Sequence, residues 1–287
     1  MKIGGFTIIR DAVKKDYPIV EAISSILPVV DQMIVLIGES DDDTEKLIRA
    51  IPSDKIRIHH SRWNNELTTG GSVLAEETNK AFDLVGPEFD WAFYIQADEC
   101  IHEQYHDAIR SAAQRFQNDR NIDGLLFRYL HFYGTYQYVG DSRRWYPKEV
   151  RIIRNDKSIR AYRDAQGFRR QGKKLRVKEI DAWVYHYGWV KDTTSFRQKI
   201  ANAAELWQER TAELEAQIAH FDINEFDSLA LFEGTHPEVM ADRISRVNWN
   251  FQFDTSRKKM SLKNRLLQWL EKKTGIRVFE FRNYRIV

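Results

Sequence analysis

The sequence predicts an α/β protein in which a mostly parallel central sheet is flanked by helices, with a second small sheet region and a C-terminal helical extension. Three observations lead there. Over the first hundred residues, short β-branched runs alternate with amphipathic segments of helical period. Those runs are apolar at successive positions, as strands covered on both faces are. The composition, 43% hydrophobic and 30% charged with 14 Gly and 6 Pro in 287 residues, is that of a folded globular chain.

Each element follows in order. FTIIR reads as the first strand, and Ile19, Val20, Ile23, Ile26 and Leu27 share one helical face after it. MIVLIG is a second strand, followed by a helix carrying Leu47, Ile48 and Ile51. IRIHH is a third, and its helix presents Val73, Leu74, Thr78, Ala81, Phe82 and Val85. WAFYIQ is the fourth strand and ends in ADE. A helix near His106 to Phe116 leads into longer aromatic strands, GLLFRYLHFYGTYQYVG, EVRIIR and AWVYHYGWV, which predict the second sheet region. A polar helix is expected from Thr193 to His220, opened by Thr193 and Thr194. The last basic segment, Arg257 to Val287, contains a helix with Leu262, Leu266, Trp269 and Leu270 on one face. Residues 1–192 are thus expected to form the main α/β domain and 193–287 an extension packed on it or used for association.

Composition excludes several classes. One Cys rules out a disulfide framework, and with no apolar leader at MKIGGFTIIRDAVKK the expected location is the reducing cytoplasm. No apolar run is long enough to span a bilayer. Charge is uneven: residues 143–178 hold 14 Lys/Arg against Glu149, Asp156 and Asp164. Such a stretch suits a phosphorylated ligand. The whole chain is only +2, however, and it has neither zinc-finger spacing nor RNA-binding aromatic motifs, so no nucleic acid partner is expected. There is also no Walker A sequence, no dinucleotide-binding glycine motif and no nucleophile elbow.

Ligands of such sheets bind beyond the carboxyl ends of the strands, which directs attention to Arg10 and Asp11, to GESDDDT, and to Ala97, Asp98 and Glu99. A buried strand ending in two adjacent carboxylates is costly unless a cation lies there, making Asp98 a metal-ligand candidate. His186, inside an aromatic strand, is a candidate for the same ion. A competing motif is His102-Glu103-Gln104-Tyr105-His106, which matches the zinc-protease helix, although no Glu follows between Glu103 and Glu149 to serve as a nearby third ligand.

With these residues in place, the chain resembles bacterial family 2 glycosyltransferases, which have the nucleotide-sugar-binding GT-A fold. The resemblance runs over residues 1 to about 190 through ordered landmarks: the stretch from FTIIRD to GESDDDT, then TGGSVLAEETNKAF, DWAFYIQADE, VRIIRND and YHYGW, with FEGTHPEV farther on. It implies that Arg10, Asp11, Ser40 and Asp42 hold the nucleotide, that Gly71, Glu99 and Trp189 contribute to the nucleotide-sugar site, and that Asp98 and His186 hold a divalent Mn or Mg ion on the sugar diphosphate. It also implies a catalytic base after an Arg-rich strand, where YRDAQGF has Asp164 as its only acid. The family's Asp-any-Asp reads Gln96-Ala97-Asp98 here, and the acid that commonly reads uracil falls on Ile37 or Gly38.

The expected function is therefore sugar transfer from a nucleotide diphosphate-sugar to a saccharide or lipid-linked acceptor in cell-envelope polysaccharide or glycolipid synthesis. The apolar face of the basic C-terminal helix has two readings, packing on the catalytic domain or a second subunit and resting on the inner face of the membrane. The alternatives are a catalytically inactive nucleotide-sugar-binding protein of the same fold and a zinc metallopeptidase using His102, Glu103 and His106.

Overall fold

The structure, a computed structural model, describes all residues from 1 to 287 except 65, 68, 208–210, 212–217, 219, 221 and 257. Its first part is a parallel sheet wound by helices. Strand β1 (Ile3–Ile9) is buried at every position, and helix α1 (Ile19–Ile26) returns the chain to β2 (Gln32–Gly38). Helix α2 (Thr44–Arg49), strand β3 (Ile56–Ser61), helix α3 (Ser72–Asp83) and strand β4 (Trp91–Tyr94) complete it. These four strands run parallel in the order β3-β2-β1-β4. Period-two alternation sends successive side chains of β1, β2 and β4 to opposite, covered faces, so these strands are almost wholly apolar, whereas the edge strand β3, IRIHHS, is only partly buried. Ile3, Ile9, Trp91 and Phe93 join the core beneath α1, while Phe6, Ile8, Ala92 and Tyr94 join Phe82 and Val85 beneath α3.

After the short β5 (Glu99–Ile101) and helix α4 (His106–Arg115), the aromatic strands join the same sheet. They are β6 (Gly124–Tyr133), β7 (Thr135–Gly140), β8 (Lys148–Arg154), β9 (Ile159–Tyr162), β10 (Gly167–Arg170) and β11 (Lys173–Trp189). The path continues β4-β8-β6-β11-β10-β9, with β8 antiparallel to both neighbours and β11 parallel to β6. The aromatic strands expected to form a second sheet region thus extend the first sheet, and the β9–β10 hairpin, paired with the start of β11, lies at its far end. Parallel pairing thus rules the first half, and short connections such as Gly134, with φ +70°, allow antiparallel pairing in the second.

Helix α5 (Thr193–Trp207) opens the C-terminal part, and the remainder of the expected span to His220 lies largely outside the described residues. Its cap is Asp192, not the Thr pair: the Asp192 carboxylate accepts the N–H groups of Thr194 (2.8 Å) and Ser195 (3.2 Å). Strand β12 (Leu229–Leu231) pairs with β7. Helix α6 (Ala241–Ser245), helix α7 (Leu262–Thr274) and strand β13 (Tyr284–Ile286) follow, with β13 beside β11. Arg257, where the sequence starts the last basic segment, lies outside the described residues. Helix α7 runs from a Ser261 cap to Gly275 and is turned inside out: it buries Gln268 and pairs Glu271 with Arg143 (2.6 Å), while Leu262, Leu266 and Trp269 are 83%, 59% and 56% exposed.

Candidate functional site

A cleft of about 200 Å³ opens at the carboxyl ends of β1 and β4, where the sheet topology predicts a ligand. Arg10, Lys15, Tyr17, Trp63, Gln96, Ala97, Asp98 and Asp164 are among its lining. Arg10 stacks its guanidinium 4.5 Å from the Trp63 ring centre, so a fixed positive charge and an indole share one wall. Asp11, at φ +57°, directs its backbone N–H to Ser40 Oγ (3.0 Å), and Lys15 lies 3.4 Å from the Asp11 carboxylate.

Asp42 ties the loops after β1 and β2 together. Its carboxylate accepts the N–H groups of Lys14 (2.9 Å) and Thr44 (3.0 Å) and the Thr44 hydroxyl. Burial opposes its ionisation, but these donors hold it below the usual carboxylate range. Gly71, in the left-handed region at φ +72°, starts α3 and is not part of the cleft lining.

The two adjacent acids at the end of β4 have opposite surroundings. Glu99 is fully buried, takes both arms of the Arg151 guanidinium (2.8 and 2.7 Å) and accepts from Tyr129 Oη (2.8 Å). Gln96, in the place of the motif's other acid, also accepts from Arg151 (3.3 Å). Asp98 lines the cleft and meets Lys199 Nζ at 3.2 Å and His186 Nε2 at 3.6 Å. Burial works against its charge, yet the Lys199 ammonium and the His186 ring hold its carboxyl well below the usual range.

The orientation of His186 follows from a buried neighbour. His131 Nε2 lies 2.8 Å from the Tyr146 carbonyl, which can only accept, so Nε2 carries the proton. Burial lowers the His131 pKa well below its ordinary value and keeps the ring neutral. Its Nδ1 therefore accepts from His186 Nδ1–H (3.2 Å), which turns His186 Nε2 toward Asp98.

Asp98 and His186 would be the residues to hold a Mn or Mg ion. Among the described residues no group of three or more His, Cys, Asp or Glu converges on such a position. Waters and phosphate oxygens commonly complete a magnesium shell, so donor count alone does not decide. Lys199 does. Its ammonium already lies against the Asp98 oxygen that faces His186, so the one negative charge there is neutralised and the attraction that would draw a dication to Asp98 is offset by the repulsion of Lys199. With Lys199 in place, the residues do not fit a divalent ion.

Asp164 occupies the turn between β9 and β10, flanked by Arg163 and Ala165 at φ +56° and +58°, and accepts the Gln166 N–H at 3.4 Å. The turn brings it to the same cleft as Arg10 and Asp98. The basic stretch around it is largely committed elsewhere. Arg151 pairs with Glu99, Arg160 with Asp83 (2.6 Å), and Arg170 and Arg176 with Asp123 (2.7 and 3.2 Å), while Arg154 lies 3.9 Å from the Trp91 ring centre. Trp189 packs under Lys199 (4.7 Å) and against Phe196, outside the cleft lining.

The zinc-protease pattern does not form its helix. His102 is extended, Glu103–Tyr105 is a 3₁₀ turn and α4 begins only at His106. His102 Nε2 bonds Thr235 Oγ1 (2.9 Å), His106 Nε2 bonds the Ser25 carbonyl (2.8 Å), and Glu103 accepts the Glu238 N–H (3.2 Å). Sequence reasoning passed over Lys199, His131, Trp63 and Gly188. Only Gly188, inside YHYGW, had a visible signal.

No family model and no curated protein matches the chain. Among solved structures, the chain is similar to S. aureus TarS at 15% identity over 76% of this chain and 42% of that one, with a TM-score of 0.40. For S. aureus TarS 1-349 in complex with UDP the values are 16%, 76%, 69% and 0.40. Glucosyl-3-phosphoglycerate synthase from Mycobacterium tuberculosis, with Mn2+, uridine-diphosphate and phosphoglyceric acid, is similar at 18% over 45% of this chain and 43% of that one, with a TM-score of 0.31. The chain thus spans less than half of the first and third, and likeness at this distance transfers no chemistry.

Proposed function

We propose that the chain is a glycosyltransferase of the GT-A type that uses a nucleotide diphosphate-sugar. One observation carries the reading: a single cleft at the carboxyl edge of the parallel strands is lined by a stacked cation, Arg10, by the charged end of β4, Asp98, and by a separate carboxylate, Asp164. Departure of a nucleoside diphosphate builds negative charge that fixed cations stabilise. In this reading the nucleotide lies over Arg10 and Asp11, on loops that Ser40 and Asp42 hold. The diphosphate lies near Asp98, where a Mn or Mg ion is expected from the sequence and where the Lys199 ammonium sits.

The bond from the anomeric carbon to the phosphate oxygen breaks, and its electron pair leaves with the diphosphate. The acceptor oxygen forms the new bond to that carbon, and its proton passes to the Asp164 carboxylate, a role worth about 10² to 10⁴ in rate.

The acceptor is a saccharide or a lipid-linked saccharide of the cell envelope, met at the cytoplasmic face of the membrane. The outward apolar side of α7 supports that location, because it lies in a segment, residues 258–287, with nine Lys/Arg against two Glu, a combination suited to an anionic lipid surface. No helix among the described residues is long and apolar enough to cross a membrane.

The deciding experiment incubates the protein with a panel of nucleotide sugars and follows release of the nucleoside diphosphate. Release from one donor supports the reading. Binding without release would favour an inactive nucleotide-sugar binder, and neither binding nor release across the panel would refute both.

A further inference from the structure

Three polar ends converge beside the cleft on a space that a glycine leaves open. A carbon added at Gly188 would overlap Asp98 Oδ2 and lie 2.6 Å from Lys199 Nζ and 2.9 Å from His186 Nε2. Lys199 reaches this point from α5, rests on the Trp189 ring, and donates to Asp98 (3.2 Å) and to the Gly188 carbonyl (2.7 Å). Its side chain is 18% exposed and lies 5.8 Å from the ring of Tyr17, which does line the cleft.

We propose that Lys199 is the cation that faces the nucleoside diphosphate, in the place a divalent metal ion would otherwise take. This rests on the nucleotide-sugar reading above. The charge arrangement supports it. One carboxylate, Asp98, is matched by one ammonium, and the position of a second acid is the neutral Gln96, itself engaged by Arg151. The single carboxylate is already matched by that ammonium, so a dication would first have to displace it. An ammonium has three donors; Asp98 and the Gly188 carbonyl take two, and the third is available to a phosphate oxygen. Trp189 and the His131-positioned ring of His186 fix the stem and the surroundings, so the charge is held in advance of binding.

The test is calorimetric titration of the whole chain with uridine and guanosine diphosphates, in EDTA and in excess manganese. The tighter nucleotide should bind equally well in both. Lys199→Ala should weaken binding in EDTA by about tenfold or more, as expected for loss of a charge-assisted hydrogen bond, and Lys199→Arg should largely restore it. Lys199→Gln, checked by thermal melting, serves if the alanine variant does not fold. Manganese uptake followed by electron paramagnetic resonance without nucleotide should be absent in the wild type. A wild type that binds nucleotide only with manganese, an Asp98-dependent manganese signal, or neutral Lys199 variants that bind like wild type in EDTA would each overturn the proposal. If neither diphosphate binds the wild type under any condition, the nucleotide-sugar reading itself falls, a result independent of metal.

Discussion

Gly188→Ala isolates the site from the fold. Gly188 is not in the left-handed backbone region, so alanine adds no backbone strain, and the methyl group meets only the ends of side chains. Its carbon would overlap Asp98 Oδ2 and lie 2.6 Å from Lys199 Nζ, so both ends of the ion pair must retreat, the ammonium by about 1 Å, to reach ordinary contact. The 3.2 Å bond between Lys199 and Asp98 does not survive such a shift. Loss of a charge-assisted bond of about 1.5–3 kcal/mol at the diphosphate position corresponds to roughly 10- to 150-fold weaker nucleotide binding. The same bond contributes to stability, so melting should fall by no more than about 10 °C and stay cooperative. Titration with the tightest nucleoside diphosphate, beside a melting curve, reads both quantities. A folded Gly188→Ala protein that binds nucleotide as tightly as wild type would show that the diphosphate does not come to this point.

Three further outcomes follow. Asp164→Asn should lower transfer by about 10² or more with donor affinity nearly unchanged, because the carboxylate acts on the acceptor proton; unchanged turnover places the base elsewhere. Burial pushes the Glu149 carboxyl on β8 up to about 7 from an ordinary 4.5, so the folded state keeps a proton the unfolded chain releases. Stability should therefore decline as pH rises between those values, by up to about 3 kcal/mol. Denaturant midpoints of Glu149→Gln should lack that decline, and parallel curves for both proteins would contradict it. Replacing Leu266 and Trp269 by Glu should abolish low-salt co-sedimentation with anionic liposomes while leaving nucleotide-sugar hydrolysis intact; negligible pelleting of the unmodified protein sinks the membrane contact.

The sheet was legible because its signals are local. Runs such as MIVLIG and WAFYIQ are buried on both faces, and the chain after each must emerge at one edge, which is how Arg10 and Asp98 were found. Non-local packing was not legible. Glu99 adjoins Asp98 yet turns inward to Arg151, 52 positions away, and nothing in ADE distinguishes the two acids. Lys199 belongs to a helix whose sequence reads as an ordinary polar surface, and only its approach to Gly188 gives it a role. The apolar period of α7 is plain, but period says which residues share a face and not whether that face looks inward; Gln268, bonded to the Asp141 carbonyl, decided it. The basic stretch around Asp164 read as a phosphate clamp because partners such as Asp83 and Asp123 are distant in sequence.

The threading of β8 between β4 and β6 has a consequence for the order in which the molecule is made. β4 is complete at Tyr94, but its free edge is covered only when Lys148–Arg154 has been synthesised and folds back. Until then a finished parallel sheet presents an unpaired strand rich in aromatic residues, the kind of edge that recruits other chains. At roughly 5–20 residues per second, the 101 positions between Asp98 and Lys199 take about 5–20 s to translate. Lys199, beside the cleft, is therefore made after every residue that lines it, and a nascent chain has its hydrophobic scaffold and Arg10 well before it has the cation that would face the diphosphate.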